Sequence, residues 1–182
     1  SVNQIDALDF SFQKIELGAN YQINNIETEF NNFWKQNFAI EFFIAIPFSW
    51  GRLETACEYT DFVSKSDDIP SFNALYMNMK YGKKINYFRN CSLEPGFNFG
   101  WFLFLENTEF KKMYNIMAFN ESEFAMGLYI KNKVKFKNIE ISAGLIYKNI
   151  FCYHDIEMIN FTFGVSYYFN APKKIIRIIT NE

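Results

Sequence analysis

The sequence predicts an all-β protein, an eight-stranded antiparallel up-and-down transmembrane β-barrel with a short C-terminal periplasmic tail. Three observations predict this class. Apolar and polar residues alternate with a period of two over eight segments of about 9–11 residues, the length that a tilted strand needs to cross a bilayer. The apolar side of these segments carries no charge. Short and long connections also alternate along the chain, as they do in outer-membrane barrels.

The first four segments each show the alternation clearly. In Ile15–Ile23, apolar Ile, Leu and Tyr alternate with Glu, Gly, Asn and Gln, and in Phe38–Phe48 only Phe43 breaks the weaker side. Leu53–Tyr59 alternates Leu, Thr, Cys and Tyr with Glu and Ala, and Ala74–Gly82 alternates Leu and Met with Asn and Lys. Each segment therefore has one face suited to burial in an apolar phase.

The last four segments repeat the pattern. Phe97–Leu105 departs from it at Phe102 and Phe104. The other three segments are Phe124–Lys131, Ile139–Lys148 and Ile159–Phe169.

The connections give the expected orientation. The long ones follow the odd-numbered segments, and the short ones follow the even-numbered segments, which places both termini in the periplasm. We expect an N-terminal periplasmic segment at 1–13, the barrel at 14–169 and the tail at 170–182. The predicted long connections are Asn24–Asn37, Thr60–Ser71, Glu106–Glu123 and a shorter Asn149–Glu157; the predicted turns are Pro47–Arg52, Lys83–Glu94 and Asn132–Asn138.

Composition agrees with a protein that faces lipid. The 182 residues suit one domain, and 49% hydrophobic with 21% charged residues excludes a disordered chain. Aromatic residues reach 20%. The net charge of −2 gives no field for nucleic acid, and no run of about 18 apolar residues predicts a transmembrane helix. No signal peptide precedes Ser1, so we expect a mature form.

The two unequal faces decide which side meets lipid. Charge is costly in hydrocarbon, whereas small and charged side chains can fill the interior of an eight-stranded barrel. We therefore place the apolar face outward; a soluble, lipocalin-like barrel is the alternative. The inward charges could gate a pore, but a structural salt-bridge network in a closed lumen is the favoured interpretation. They are Glu16, Glu41, Glu54, Glu58, Glu140, Lys80, Lys131 and Lys148.

Aromatic residues fall near the predicted strand ends, where a membrane barrel places its interfacial girdles. The predicted girdle residues are Tyr21, Trp50, Tyr59, Tyr81, Tyr147, Tyr167 and Phe169. The last strand, with Phe-Gly-Val-Ser-Tyr-Tyr-Phe at its end, and the stretch Leu93–Trp101 resemble the small OmpA/OmpX-type bacterial outer-membrane β-barrel superfamily. The resemblance covers Ile15–Phe169 and implies an outer-membrane location in a Gram-negative envelope, with the terminal aromatic strand similar to a barrel-assembly signal. About thirteen residues follow Phe169, unlike the usual ending.

Few residues suit catalysis or metal binding. The single histidine, His154, with Asp155 and Ser122 could form the site of a lipid-A-modifying enzyme, but a solvated loop histidine is the simpler interpretation. Three cysteines match no zinc spacing, and no cofactor or metal is expected. Cys57 should face outward, and Cys91 and Cys152 should lie at opposite ends without a disulfide.

The tail is the most unusual segment, because it carries apolar residues beyond the barrel. An exposed apolar segment favours a partner or a lipid surface, although it could also be disordered or clamp the barrel base. The predicted docking residues are Lys173, Lys174, Ile175, Ile176, Ile178 and Ile179. We therefore expect a non-enzymatic structural or accessory subunit of a larger envelope or secretion/assembly complex. Its expected contacts are membrane lipid, lipopolysaccharide and other outer-membrane or periplasmic proteins; the alternatives are the lipid-A enzyme and a surface adhesin acting through its loops, of which Glu106–Glu123 is the longest.

Overall fold

The chain forms a closed antiparallel barrel, seen in a computed structural model that describes residues 14–24, 29–48, 50–67, 71–105, 122–152 and 155–171. Eight strands pair with their neighbours along the chain, and β1 pairs with β9, which closes the wall. A short ninth strand, β5, pairs with the start of β6, and β4 pairs with the rest of β6, so the wall is continuous at this point. The strands are β1 Lys14–Asn24, β2 Trp34–Pro47, β3 Arg52–Ser64, β4 Phe72–Gly82, β5 Ile85–Phe88, β6 Cys91–Leu105, β7 Ser122–Phe136, β8 Ile139–Phe151 and β9 Ile156–Asn170.

The predicted fold class is confirmed, and the two ends of the barrel differ as the connections suggest. We call the end that carries the β2–β3 turn, the β5 hairpin and the β7–β8 turn the turn end. Lys14 and Asn170, which pair across β1 and β9, also lie there. The opposite end is called the loop end, and a 3-10 helix at Glu29–Asn32 lies there between β1 and β2. In the described residues, no helix is long and apolar enough to cross a bilayer.

At the loop end the strands extend further than the prediction. β2 begins at Trp34 instead of Phe38, β3 continues to Ser64 instead of ending at Tyr59, and β8 reaches Phe151. The inward positions of these extensions mix polar and apolar side chains: Gln36 and Thr60 are buried there, and so are Phe62 and Ile150. The outward positions are mixed as well, with Lys35 paired with Val63, so the alternation of an apolar outer side with a polar inner side is lost.

At the turn end, two predicted connections are also corrected. The stretch Lys83–Glu94 contains β5, which pairs with the start of β6 around a turn at Arg89 and Asn90. The stretch Asn132–Asn138 lies mostly in β7 and leaves only a two-residue turn, in which Lys137 has a φ of 54°. Lys and Asn are common in turns, but here the lysines at alternate positions point into the barrel.

The outer wall is a continuous apolar belt. Phe42 is 66% exposed and Leu128 is 64% exposed, whereas a soluble protein rarely exposes apolar side chains around its whole circumference. Cys57 also lies on this face, paired with Phe42 across β2 and β3. Other exposed belt residues are Leu17, Ile40, Ile44, Met77, Met79, Trp101, Met126, Ile130, Ile141, Phe163 and Val165.

Two glycines create the space for aromatic rings inside the barrel. A Cβ atom at Gly18 would collide with the ring of Phe43, and one at Gly96 would collide with the ring of Tyr129. Both rings are buried. The inward glycines therefore match the larger inward side chains of neighbouring strands, so that the lumen is filled.

Candidate functional site

The half of the lumen nearer the turn end is filled by a network of ion pairs centred on Arg52. Its Nε lies 2.7 Å from Glu16 Oε2, and its Nη1 lies 2.5 Å from Glu54 Oε2 and 3.4 Å from Glu94 Oε1. The four side chains are at most 5% exposed. Pairing is required here, because a charge taken out of water without a partner destabilises the fold.

Lys80 extends this network towards the middle of the barrel. Its Nζ lies 2.6 Å from Glu41 Oε2 and 2.9 Å from Glu54 Oε1. Asn20 Nδ2 donates a hydrogen bond of 2.6 Å to Glu41. Lys80 is therefore the salt-bridge partner of Glu41, and it shares Glu54 with Arg52.

Lys133 extends the network towards the turn end. Its Nζ lies 2.7 Å from Glu94 Oε2 and 3.2 Å from Glu140 Oε1. Glu140 Oε2 in turn lies 2.7 Å from Nζ of Lys84, whose side chain is 33% exposed. The network thus runs from the buried middle to the rim.

A second group of polar residues lies around Glu58. Lys148 Nζ lies 2.5 Å from both carboxylate oxygens of Glu58, to which Gln22 Nε2 donates at 2.6 Å. Gln22 Oε1 accepts bonds from Lys148 at 3.2 Å and Asn160 Nδ2 at 3.1 Å. All four residues are buried.

Four members of the network were not predicted. All eight predicted inward charges are buried on the inner face. The four that were missed lie in stretches predicted as connections; they are Arg52, Lys84, Glu94 and Lys133. Extending the two-residue alternation would have found them, since Arg52 is two residues before Glu54 and Lys133 is two residues after Lys131. The assignment of the set as a gate or as a structural network stays a prediction.

Lys131 is the exception among the inward lysines. It is 2% exposed, and its Nζ lies 5.8 Å from the ring centroid of Phe43 and 5.6 Å from that of Tyr129. No carboxylate of the described residues lies within salt-bridge distance of it. Its charge faces aromatic rings, which attract cations through their electron-rich faces.

The half of the lumen nearer the loop end is closed by an apolar plug. The rings of Phe62 and Phe72 stack at 4.8 Å, and Phe102 lies 6.0 Å from Tyr76. The buried members of the plug are Phe62, Ala74, Tyr76, Phe102, Ala125, Ile150 and Met158, with Trp34, Phe72, Phe104 and Ile156 packed against them. This plug was not predicted, although Phe102 and Phe104 were noted as departures from the alternation.

The candidate catalytic residues are only partly described. Ser122 is exposed at the start of β7, and Asp155 is exposed just before β9. His154 and the tail residues 173–179 lie outside the described residues. Within the described part of the chain, no group of three or more His, Cys, Asp or Glu residues could hold a metal ion. Cys91 lies at the turn end and Cys152 at the loop end, and no disulfide joins the three cysteines, all of which the structure describes.

The predicted girdle residues lie on or near the outer wall. Trp50 stacks on Tyr81 with ring centroids 5.5 Å apart, and Tyr81 Oη donates a hydrogen bond of 3.0 Å to the Trp50 carbonyl oxygen. Tyr21, Tyr59 and Tyr167 are exposed. Their role at the membrane interfaces stays a prediction.

Solved structures of small outer-membrane barrels have the same fold. Neisserial surface protein A has a TM-score of 0.61 and 10% identity over 86% of this chain and 96% of its own. Outer membrane protein H from P. aeruginosa has a TM-score of 0.58 and 16% identity over 86% of this chain and 99% of its own. Ail from Yersinia pestis has a TM-score of 0.53 and 12% identity over 86% and 99%.

These similarities show the fold, an eight-stranded antiparallel barrel, which the sequence pattern predicts. No protein-family profile and no curated protein sequence matches the chain. The fold neighbours are bacterial outer-membrane proteins. Fold alone does not specify an activity, so the function must be argued from the lumen and the two ends.

Proposed function

We propose that this protein is a non-enzymatic barrel of a bacterial outer membrane that serves as a structural or accessory subunit of a larger envelope complex. The filled lumen is the observation that carries the proposal. Ion pairs occupy the half nearer the turn end, and an apolar plug beside the Glu58–Lys148 pair occupies the half nearer the loop end. An eight-stranded barrel is only wide enough for side chains to fill its interior, which favours a role carried by its two ends.

The outer belt supports the membrane location. Apolar side chains such as Phe42 and Leu128 are exposed on a wall whose charges, away from the strand ends, lie on the inner face. A lipid bilayer would cover this belt, and the lipopolysaccharide leaflet would surround the loop end in the expected orientation. Membrane lipid is therefore the first partner that the proposal implies.

The sequence of the tail supports a role as a subunit of a protein complex. Four isoleucines lie between positions 175 and 179, shortly after the end of β9. The described chain ends at Ala171, a buried residue that packs beside Ile15. An apolar segment that starts at the barrel base can extend the contact surface towards a neighbouring subunit.

A pull-down in mild detergent tests the subunit role. The full chain, tagged and expressed in its native outer membrane, should retain a protein partner, and deletion of Lys173–Glu182 should release it. Purification of the intact barrel alone, or an unchanged set of partners after the deletion, would contradict the proposal. A partner that instead requires the loop end would favour the adhesin alternative.

Conductance measurements test the closed lumen separately. The purified barrel in planar bilayers should show no stepwise current above background. A steady channel current would show that the ion-pair network lines a pore, and the interpretation of the lumen as a structural filling would then fail.

A further inference from the structure

The lumen opens at the turn end into a cavity of about 420 Å³. Inward positions of several strands meet there, with the β2–β3 turn on one side of the rim and the β5 hairpin on the other. Six of the lining residues are cations, namely Lys14, Arg52, Lys83, Lys84, Arg89 and Lys135, and the lining includes no carboxylate among the described residues.

Four of these six cations carry charge that the network does not neutralise. Arg52 is paired with Glu16, and Lys84 is paired with Glu140. The remaining four, Lys14, Lys83, Arg89 and Lys135, form no salt bridge within the described residues. A cavity with a surplus of about four positive charges at a rim open to water attracts multiply charged anions.

The surroundings of these cations add fixed donors to the cavity. Lys135 Nζ lies 3.8 Å above the ring of Tyr168, so its ammonium group is held near the wall. Ser92, which is 2% exposed, and Arg52, which is 4% exposed, belong to the lining and bring a hydroxyl and a guanidinium group. The site thus combines a buried floor with a basic rim that is largely exposed to solvent.

The number and type of these donors favour a phosphate group over a single carboxylate. A phosphate ester carries up to two negative charges and three acceptor oxygens, whereas a carboxylate carries one charge and two oxygens. Arginine binds phosphate through two parallel hydrogen bonds, and lysine adds a point charge. The volume also lies within the usual range for small-molecule sites.

We propose that the turn-end cavity binds a phosphate ester, carried either by a soluble metabolite or by the headgroup of an anionic phospholipid. The rim is compatible with both sources. The β2–β3 turn contributes two aromatic residues to the cavity lining, Phe48 and Trp50, whose ring centroids are 5.1 Å apart. A lipid whose acyl chains contact these rings can place its headgroup near the cations of the cavity. The proposal is independent of the subunit role and would survive its failure.

The binding test uses the full chain and one pocket variant. In phosphate-free neutral detergent, titration calorimetry with glycerol 3-phosphate tests the soluble source. In nanodiscs of phosphatidylcholine with a minority of phosphatidylglycerol, enrichment of the anionic lipid around the purified barrel tests the headgroup source. The variant Lys83→Gln/Arg89→Gln/Lys135→Gln should weaken the binding or the enrichment by about tenfold or more, since three charge-assisted contacts are lost.

A matched variant controls for net charge. Lys35→Gln/Lys65→Gln/Lys137→Asn also removes three positive charges, but from positions outside the cavity. Two of them lie at the loop end, and one lies in a turn that does not line the cavity. This variant should bind within twofold of the unmodified protein. Equal losses in the two variants, or no binding by either probe to the unmodified protein, would overturn the proposal. Circular dichroism and the shift in gel migration on heating confirm that each variant forms the barrel.

Discussion

The two ends of the barrel are stabilised and charged in opposite ways. The turn half of the lumen contains a chain of buried ion pairs, and its rim carries a surplus of lysine and arginine. The loop half contains an apolar plug. The described loop-end residues are acidic on balance, with Asp61, Asp67, Glu123, Asp155 and Glu157 against Lys35 and Lys65.

This difference assigns the closing of the lumen to one end of the barrel and the presentation of accessible charge to the other end. Apolar packing closes the outer part of the loop half, and the Glu58–Lys148 ion pair lies next to the plug, with Lys148 Nζ 5.2 Å from the ring centroid of Tyr76. The ion-pair network fills the turn half and leaves cations at the rim, where a ligand or partner can reach them. The same strands therefore hold an apolar plug near the loop end and accessible cations at the turn-end rim.

The largest expected effect comes from breaking the network at Lys80. The substitution Lys80→Met leaves the buried Glu41 without a salt-bridge partner among the described residues, and it leaves Glu54 with Arg52 alone. We expect the free energy of unfolding to fall by about 3–5 kcal/mol, the usual penalty for removing one partner of a buried pair. Urea unfolding in lipid vesicles, followed by tryptophan fluorescence, measures this change.

A double variant separates lost attraction from an uncompensated charge. In Glu41→Gln/Lys80→Met, one negative and one positive charge are removed together and Glu54 keeps its salt bridge to Arg52, so most of the lost stability should return. If the double variant is as unstable as Lys80→Met alone, the turn half does not depend on charge balance and the contrast with the loop half disappears.

A smaller effect is expected from opening the plug. Met158 is 1% exposed and packs among the plug residues, so Met158→Ala leaves a cavity and should lower the free energy of unfolding by about 2–3 kcal/mol. Met77→Ala is the matched control, because Met77 is 50% exposed on the outer wall. The same unfolding assay should show a much smaller loss for Met77→Ala; equal losses would mean that the loop half is not tightly packed.

The fold could be predicted from the sequence because the outer wall and the turn half obey one rule. An outward side chain is apolar and an inward side chain is small or charged, so the period of two is visible in the sequence. The rule fails in the plug, where Phe62 and Ile150 point inward. There the predicted strands stop too early, and the packing that closes the lumen goes undetected.

The pairs within the network could not be predicted either. The sequence places Lys148 and Glu58 on the inner face, but they are 90 residues apart in the chain. Which inward charges meet depends on the stagger of the strands around the barrel, and a pattern within single strands does not contain that information. The basic rim escaped detection for a related reason, since Lys83 and Arg89 lie in a stretch that resembles an ordinary turn.

The smallest effect is expected at the β7–β8 turn, where the turn end depends on backbone conformation. Lys137 has a φ of 54°, a left-handed conformation that glycine adopts more readily than lysine. Lys137→Gly should therefore raise the free energy of unfolding by about 0.5–1 kcal/mol in the same urea assay, after the entropy of the unfolded glycine is subtracted. Lys83→Gly removes an equal charge from the turn end at a position without a positive φ, so it should be neutral or destabilising. A gain of the same size in both variants would indicate that relief of charge repulsion, and not relief of backbone strain, limits the stability of the basic end.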